Sequence, residues 1–175
     1  MLNSDCLFHV SEEPGISLFE PRPSPSFFEE IKGDVVFAIS GKLLHNYLLP
    51  RDCPRVCYYA STETTENDRE QFIGFSAADF IINVESGWYE KVKNTTLYCY
   101  EFPIALFTML DECAGYYISY QAIVPSSVTP VADILAELLS RNIEIRFTPS
   151  LIQLADAVSK STLKFSNIRM RNAQM

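Results

Sequence analysis

Short apolar segments with strand-like composition fill the first two thirds of the chain, whereas helical periodicity is clearest in the last third. These segments are rich in β-branched and aromatic residues, which favour extended structure. They cover residues 6–10, 34–39, 55–60, 79–84, 95–102 and 116–124. Strands followed by helices predict an α+β fold, with a mostly antiparallel sheet that can split and helices mainly from the C-terminal third, rather than a doubly wound parallel sheet.

Two amphipathic helices are predicted near the end of the chain. Thr129 and Pro130 suit the N-cap and the first position of a helix, and Asn142 suits its left-handed end. Residues 143–147 then alternate as a strand with one solvated face. Pro149 repeats the start signal, and apolar residues at helical spacing follow it, so a second helix is predicted there.

The remaining segments are less regular. We predict a helical turn over residues 42–49, a short helix near Trp88 and a polar surface excursion over residues 61–70. Residues 12–32 are rich in proline and serine and predict a long loop, since proline disfavours helices and central strands. Long loops in compact domains are often functional. A chain of 175 residues suffices for one core, so a single globular domain over residues 1–175 is predicted.

The charge pattern bears on partners and location. A formal net charge of −8 repels phosphate backbones, so nucleic acid is not expected as a partner. The segment 159–175 reverses this sign and is either a solvated or core-docking tail or a site for a small anionic ligand. No apolar run reaches the roughly 18 residues of a membrane span, and residues 1–10 lack a secretory signal. A soluble cytoplasmic protein is therefore expected, and its oligomeric state is left open.

Neither the cysteines nor the common sequence motifs predict a metal site or a catalytic site. Five cysteines at irregular spacing predict free thiols in a reducing compartment. Cys53 and Cys57 form a single Cys-x3-Cys pair without a second pair, so no metal is expected. The sequence has no phosphate-cradling loop, no Gly-x-Gly-x-x-Gly fingerprint and no Gly-x-Ser-x-Gly elbow.

His9 is the candidate with the most chemical interest. Alternation places Leu7, His9 and Ser11 on one face of the first strand. His9 is either a hydrogen-bonded structural histidine or a ligand-binding one. Residues 7–11 resemble the opening strand of ADP-ribosyltransferase-like domains, and the order of later elements is also similar. This resemblance implies that His9 hydrogen-bonds the ribose hydroxyls of NAD, which is the expected cofactor.

The same resemblance implies a catalytic glutamate on a late strand, whose best counterpart is residues 117–125. Tyr117, Ser119 and Gln121 would share one face of it, with Gln121 near the acidic position. Glutamine keeps the hydrogen bond but not the charge that stabilises an oxocarbenium-like ribose. The chain is therefore a weak or inactive member, or Glu101 substitutes, or the resemblance is accidental. Glu101 is alternatively a solvent-facing charge.

The candidate site residues fall into two groups. The catalytic candidates are His9, Gln121 and Glu101. In the cofactor-binding group, Tyr47 would stack on a base and Arg22, stiffened by prolines, would meet phosphate. That group is completed by four polar residues of the two strands: His9, Ser11, Tyr117 and Ser119.

A closer resemblance covers nearly the whole chain. Residues 7–14, 19–23, 46–56 and 161–172 resemble an uncharacterised bacterial family of unknown function, which implies a bacterial cytoplasmic protein and no established catalytic residue. The leading hypothesis is a nucleotide- or NAD-binding ADP-ribosyltransferase-like domain with a degenerate catalytic position, which as an enzyme would transfer ADP-ribose. The alternative is a noncatalytic binding or interaction protein that uses the loop and the basic tail. RNA end processing would require several arginines converging on His9.

Overall fold

The computed structural model of the chain describes residues 6–24 and 27–174. Contacts divide the chain into two compact units, one of Met1–Tyr47 with Thr96–Val131 and the other of Leu48–Thr95 with Ala132–Met175. We call them the first and the second unit. Each contains its own β-sheet. The prediction of a single domain stays a prediction.

The described residues form ten strands and four α-helical segments. The strands are β1 (Cys6–Ser11), β2 (Val36–Ser40), β3 (Arg55–Tyr59), β4 (Phe80–Glu85), β5 (Leu97–Pro103), β6 (Thr108–Asp111), β7 (Tyr116–Ser119), β8 (Ser127–Val131), β9 (Ile143–Thr148) and β10 (Lys164–Ile168). The helices are α1 (Glu66–Asp68), α2 (Tyr89–Asn94), α3 (Ile134–Ser140) and α4 (Ile152–Ser159). Shorter turns of helix are the 3-10 segments Gly41–Tyr47, Ser86–Trp88, Ile104–Leu106 and Met170–Asn172 and the π-helical segment Arg69–Ile73.

The first unit contains a six-stranded sheet in the order β6-β7-β2-β1-β5-β8. Every neighbouring pair in it is antiparallel. One core cluster lies on one face of the sheet and includes Leu7, Ala38, Tyr100 and Phe102, while Phe8, Ile39 and Ile118 are buried on the other face. Phe19, from the proline-rich loop, is buried in the same cluster, so this loop folds back onto the sheet.

The second unit contains a four-stranded sheet in the order β10-β3-β4-β9. The β4–β9 pair is parallel, whereas β3 pairs antiparallel with both of its neighbours. Leu151 and Val158 of the α4 region pack against Val56 and Ile81 of the central strands. The predicted α+β class with a mostly antiparallel, split sheet is therefore confirmed.

The predicted start of the first C-terminal helix is wrong. Thr129 and Pro130 lie in β8, which pairs with β5, so strand pairing overrides the local helix signal. The helix starts four residues later, where the Asp133 side chain accepts a hydrogen bond from the Ala136 N–H at 2.9 Å. The left-handed helix end at Asn142 is confirmed, with φ of 59°.

Other predicted boundaries also change. The strand predicted over residues 116–124 ends at Ser119, and residues 61–70 contain α1 and the start of the π-helical segment. The sequence patterns missed β6 and β10. No helix among the described residues has the length and apolar character that crossing a membrane requires.

Candidate functional site

His9 lies in β1, at the centre of the six-stranded sheet. Its Nδ1 is 3.1 Å from the backbone oxygen of Phe37. If that nitrogen carries the proton, it donates to the carbonyl, and Nε2 is then the acceptor of the neutral ring. The imidazole also packs against the Phe19 ring at a centroid distance of 4.9 Å. His9 is therefore a half-buried, hydrogen-bonded histidine of the sheet.

Strand register shows which side chains share the face of His9. Leu7 pairs with Ser40, and β2 in turn pairs Ala38 with Tyr117. Because side chains alternate along a strand and paired residues project to the same side, His9 and Tyr117 lie on one face. We call it the His9 face. Its strand positions are Leu7, His9, Ser11, Val36, Ala38, Ser40, Tyr98, Tyr100, Phe102, Tyr117 and Ser119.

The structure thus brings together four of the predicted site residues, His9, Ser11, Tyr117 and Ser119. Ser119 is buried at the end of β7 and accepts a hydrogen bond from the Gln121 N–H at 3.2 Å. Ser11 ends β1, and its hydroxyl accepts a hydrogen bond from the Glu13 N–H at 3.0 Å. Both hydroxyls therefore stand at strand ends where loops begin.

A segment of the proline-rich loop covers the His9 face. Phe19 packs against His9 with tilted rings and edge-on against Tyr100 and Phe102 of β5, and it pairs with Ile123 through two backbone hydrogen bonds of 2.8 and 2.9 Å. The Tyr100 hydroxyl accepts from the Ile16 N–H at 3.0 Å and donates to the Glu13 carbonyl at 2.7 Å. This part of the loop is thus held by the Phe19 ring, the Phe19–Ile123 bridge and the Tyr100 hydroxyl, and the loop pairs with the sheet again at Arg22 and Val35.

Gln121 lies two residues beyond the end of β7, and its side chain is exposed. Strand pairing ends at Ser119, so no ladder fixes the direction of the Gln121 amide. Its role at a degenerate catalytic position stays a prediction.

Glu101 does not lie on the His9 face. It pairs with Phe8, whose side chain alternates away from His9, so the carboxylate is on the opposite face of the sheet. There its Oε1 accepts a hydrogen bond from the Cys6 thiol at 2.8 Å. The idea that Glu101 replaces a missing catalytic carboxylate beside His9 has to be corrected, because the β1–β5 register separates the two groups.

Tyr47 also lies on the face of the sheet opposite to the His9 face. Its hydroxyl donates to the Tyr116 hydroxyl at 2.6 Å, and Tyr116 pairs with Ile39 rather than with a residue of the His9 face. A base stacked on Tyr47 would therefore not share a cavity with His9. Arg22 pairs with Val35 through its backbone and has an exposed side chain, and its contact with a phosphate stays a prediction.

The basic C-terminal segment is docked within the second unit. Lys164 forms an ion pair with Glu63 at 2.7 Å, and Lys160 forms one with Asp156 at 2.7 Å. Arg169 Nε donates to the Arg51 carbonyl at 3.2 Å. Of the two alternatives for this segment, the structure favours a docked tail, since part of it forms β10.

The second unit also buries polar side chains, on both faces of its sheet, that the sequence patterns did not reveal. These side chains are those of Arg55, Asn83 and Glu85. Arg55 Nη1 donates to the carbonyls of Cys53 at 2.9 Å and Pro50 at 3.3 Å. A sequence signal existed, because Arg55 and Glu85 flank apolar strand segments in which charges are unusual.

The two thiols near Arg55, those of Cys53 and Cys57, stay protonated. Burial raises the pKa of Cys53 and of Cys57 from 9.0 to about 12, and the Arg55 charge opposes part of this rise. A protonated, buried thiol is a poor nucleophile and a poor metal ligand. Among the described residues there is no group of three or more His, Cys, Asp or Glu side chains that could hold a metal ion.

Comparison with known proteins gives a family but no activity. No curated protein and no solved structure matches the chain. A family model described as "Family of unknown function (DUF6886)" matches residues 8–173, which is nearly the whole chain. The chain therefore belongs to this family of unknown function.

Proposed function

We propose that the first unit is a noncatalytic ligand-binding module that takes a nucleotide of the NAD type on the His9 face. One observation supports this most: strand register gathers an imidazole, a phenol and two hydroxyls, those of His9, Tyr117, Ser11 and Ser119, on one face. A ribose offers hydroxyls that both donate and accept, and these side chains can match both roles.

The expected contact of His9 follows from its tautomer. With Nδ1–H donated to the Phe37 carbonyl, the Nε2 acceptor is the atom to which a ribose hydroxyl would donate. Tyr117 and Ser119 would supply further hydroxyls from β7, two strands away from β1. This separation of about 10 Å across the sheet matches the size of a nucleoside rather than that of a single small ion.

Catalysis is not expected at this face. Its positions in β1, β2, β5 and β7 carry no carboxylate, and Glu101 lies on the opposite face. An amide at Gln121 can hold a 2′-hydroxyl but cannot stabilise a developing positive charge. The loss of one aligned electrostatic partner costs about 3 kcal/mol in the barrier, or roughly a hundredfold in rate.

Ligand entry requires the loop over the His9 face to move. Phe19 contacts His9 directly, so a ligand that reaches the imidazole must displace this ring. Loops that close over ligands commonly act as lids and exchange on a microsecond-to-millisecond timescale. The loop is the second part of the proposed site.

Isothermal titration calorimetry with NAD, ADP-ribose and nicotinamide tests the proposal. We expect the wild type to bind NAD and ADP-ribose, and His9→Ala to lose about tenfold or more in affinity because a hydrogen bond is removed. Glu101→Gln is the control in the same unit and should bind like the wild type, since it changes the opposite face. Equal responses of wild type and His9→Ala would end the proposal.

A second candidate function is a protein-interaction module that uses the outside of the same loop. Leu18 and Val124 flank the Phe19–Ile123 bridge and are 46% and 65% exposed. Neighbours in an extended pair alternate, so these two side chains point away from the core that Phe19 and Ile123 enter. No heat of binding with any of the three ligands to the wild type would favour this function.

A further inference from the structure

The most unusual buried group of the second unit is the carboxylate of Glu85. It ends β4 and is 0% exposed. Its Oε1 accepts hydrogen bonds from the backbone N–H groups of Gln174, at 2.9 Å, and Leu151, at 3.4 Å. Its Oε2 is buried and has no hydrogen-bond partner within the part of the chain that the structure describes.

Glu85 lies at an edge of the sheet where two strands end and a helix begins. β4 and β9 run parallel, and their last residues, Glu85 and Thr148, pair at this edge. The helix α4 begins just after this edge, and Glu85 reaches the Leu151 N–H at its N-cap.

The residue that lies at this edge behaves as a bound peptide would. Gln174 donates its main-chain N–H to Glu85, and its carbonyl accepts a hydrogen bond from the Ser150 hydroxyl at 3.2 Å. Its side-chain amide lies beside Gly87, where an added Cβ would come within 3.3 Å of Nε2. The main-chain N–H and carbonyl of Gln174 thus both have hydrogen-bond partners at this edge, and its exposed side chain lies beside Gly87.

Burying a carboxylate only to hold one chain segment is energetically unfavourable. Removing a carboxylate from water is unfavourable, and two backbone hydrogen bonds to one oxygen leave the other oxygen uncompensated. Native proteins rarely leave a buried acceptor unused without a reason. The spare oxygen suits an occupant that presents more than one N–H group.

We propose that Glu85 and Ser150 form a binding site for a peptide main chain, and that the segment 171–174, which leaves the 3-10 turn Met170–Asn172, occupies this site through Gln174 as an intramolecular strap. The ligand class is an unstructured peptide segment whose consecutive amides reach both carboxylate oxygens. The strap supplies one of these amides, so it holds the site closed without saturating it.

The strap is attached lightly enough to lift. Besides Gln174, it is held by the Asn172 side chain, which donates to the Asp52 carbonyl at 2.8 Å in an exposed position, and by the N–H groups of Asn172 and Ala173, which donate to the carbonyls of Arg169 and Met170 at 2.9 and 3.0 Å. Arg171, Asn172 and Gln174 are exposed, whereas Met170, just before the strap, packs against the core of the second unit. Met170 therefore fixes the base of the strap, and the residues after it can open separately.

Two substitutions at one position test the strap. Gln174→Pro removes the N–H that binds Glu85, whereas Gln174→Ala removes the same side chain but keeps the N–H. Trypsin cleavage after Arg171 in the native protein reports the open population. Loss of a hydrogen bond to a charged group predicts cleavage about tenfold faster in Gln174→Pro than in Gln174→Ala. Equal rates in the two variants would refute the role of Glu85 as the anchor.

A labelled peptide with the sequence of residues 163–175 tests the site itself. Fluorescence anisotropy should show saturable binding to Gln174→Pro and much weaker binding to Gln174→Ala, whose strap is still anchored. A peptide with proline at the position of Gln174 is the matched control and should not bind. Thermal melts confirm that both variants are folded. Failure of the unmodified peptide to bind folded Gln174→Pro would overturn the proposed peptide site.

Discussion

The two units bury their polar side chains in different surroundings. On the His9 face of the first unit, the imidazole lies beneath a loop attached by the Phe19 ring, the bridges Phe19–Ile123 and Arg22–Val35 and the Tyr100 hydroxyl. In the second unit, Arg55 and Glu85 bind main-chain groups next to the strands themselves. A loop can leave without disturbing a sheet, whereas an anchored buried charge cannot. The two units thus differ in kind: a loop covers the His9 face of the first, whereas in the second buried charges bind main-chain groups directly.

The largest effect is expected from Arg55→Leu. The substitution leaves the buried carbonyls of Pro50 and Cys53 without the guanidinium that binds them. Breaking a buried polar anchor of this kind costs about 4 kcal/mol of unfolding free energy, measured by urea denaturation. Arg22→Leu is the matched control, because Arg22 is exposed, and it should change the free energy by less than about 0.5 kcal/mol. Similar small effects of both would remove the distinction between the two units.

The second effect concerns the loop attachment. Phe19→Ala removes a ring that contacts His9, Tyr100 and Phe102, and such losses cost about 3 kcal/mol. Leu18→Ala is the control, because the adjacent side chain is largely exposed. Hydrogen exchange should accelerate over residues 12–24 more than over β1 and β5. Uniform acceleration across the sheet would show that the loop is part of the cooperative core rather than a removable cover.

Local sequence patterns predicted the elements whose signals are local. β1, β3, β4 and β9 are short and β-branched or aromatic, and α4 has a clear apolar stripe. β8 was missed because Thr129 and Pro130 resemble a helix start, and β10 because its side chains alternate between half-buried and exposed without a fully buried position. Both strands form through partners distant in sequence, β5 and β3. The sequence of one segment does not show which distant strand it will pair with.

The candidate site could also be predicted only in part from local sequence patterns. Alternation within β1 and within the strand of Tyr117 and Ser119 was visible in the sequence, and these residues do share a face. The sequence did not show on which face of the sheet Glu101 lies, because this depends on the register between β1 and β5. A shift of one residue in that register would have moved the carboxylate to the face of His9. The buried role of Glu85 likewise depends on contacts with residues 151 and 174.

An intermediate effect is expected when the pH is raised from neutral to about 10. The folded state raises the pKa of Cys53 and Cys57 from 9.0 to about 12, mainly through burial, so it binds their protons more tightly than the unfolded chain. Their contribution to stability is complete below pH 9 and is lost as pH rises toward 12. The slope reaches about 1.4 kcal/mol per pH unit for each thiol.

Urea denaturation at several pH values above 9 measures this loss. The double variant Cys53→Ala with Cys57→Ala should have a shallower pH dependence than the wild type. Val158→Ala is the control, because it removes buried methyl groups of the second unit without a titrating group, and should lower stability equally at each pH. An unchanged slope in the double variant would show that the thiols are reached by solvent before unfolding.

The smallest effect is expected from Tyr100→Phe, which tests whether the loop is a lid. The change removes one hydroxyl that accepts from the Ile16 N–H and donates to the Glu13 carbonyl, and it keeps the ring in the core. Loss of these bonds costs about 1 kcal/mol, because water can reach the loop groups once they are released. Since the bonds hold the closed loop, the open population should rise about fivefold, as measured by hydrogen exchange over residues 13–16. Tyr98→Phe, on the same face, should change this exchange less. If the loop gates ligand entry, the association rate of NAD should rise with the open population in Tyr100→Phe, whereas a loop that only fills the core would lose stability without any change in that rate.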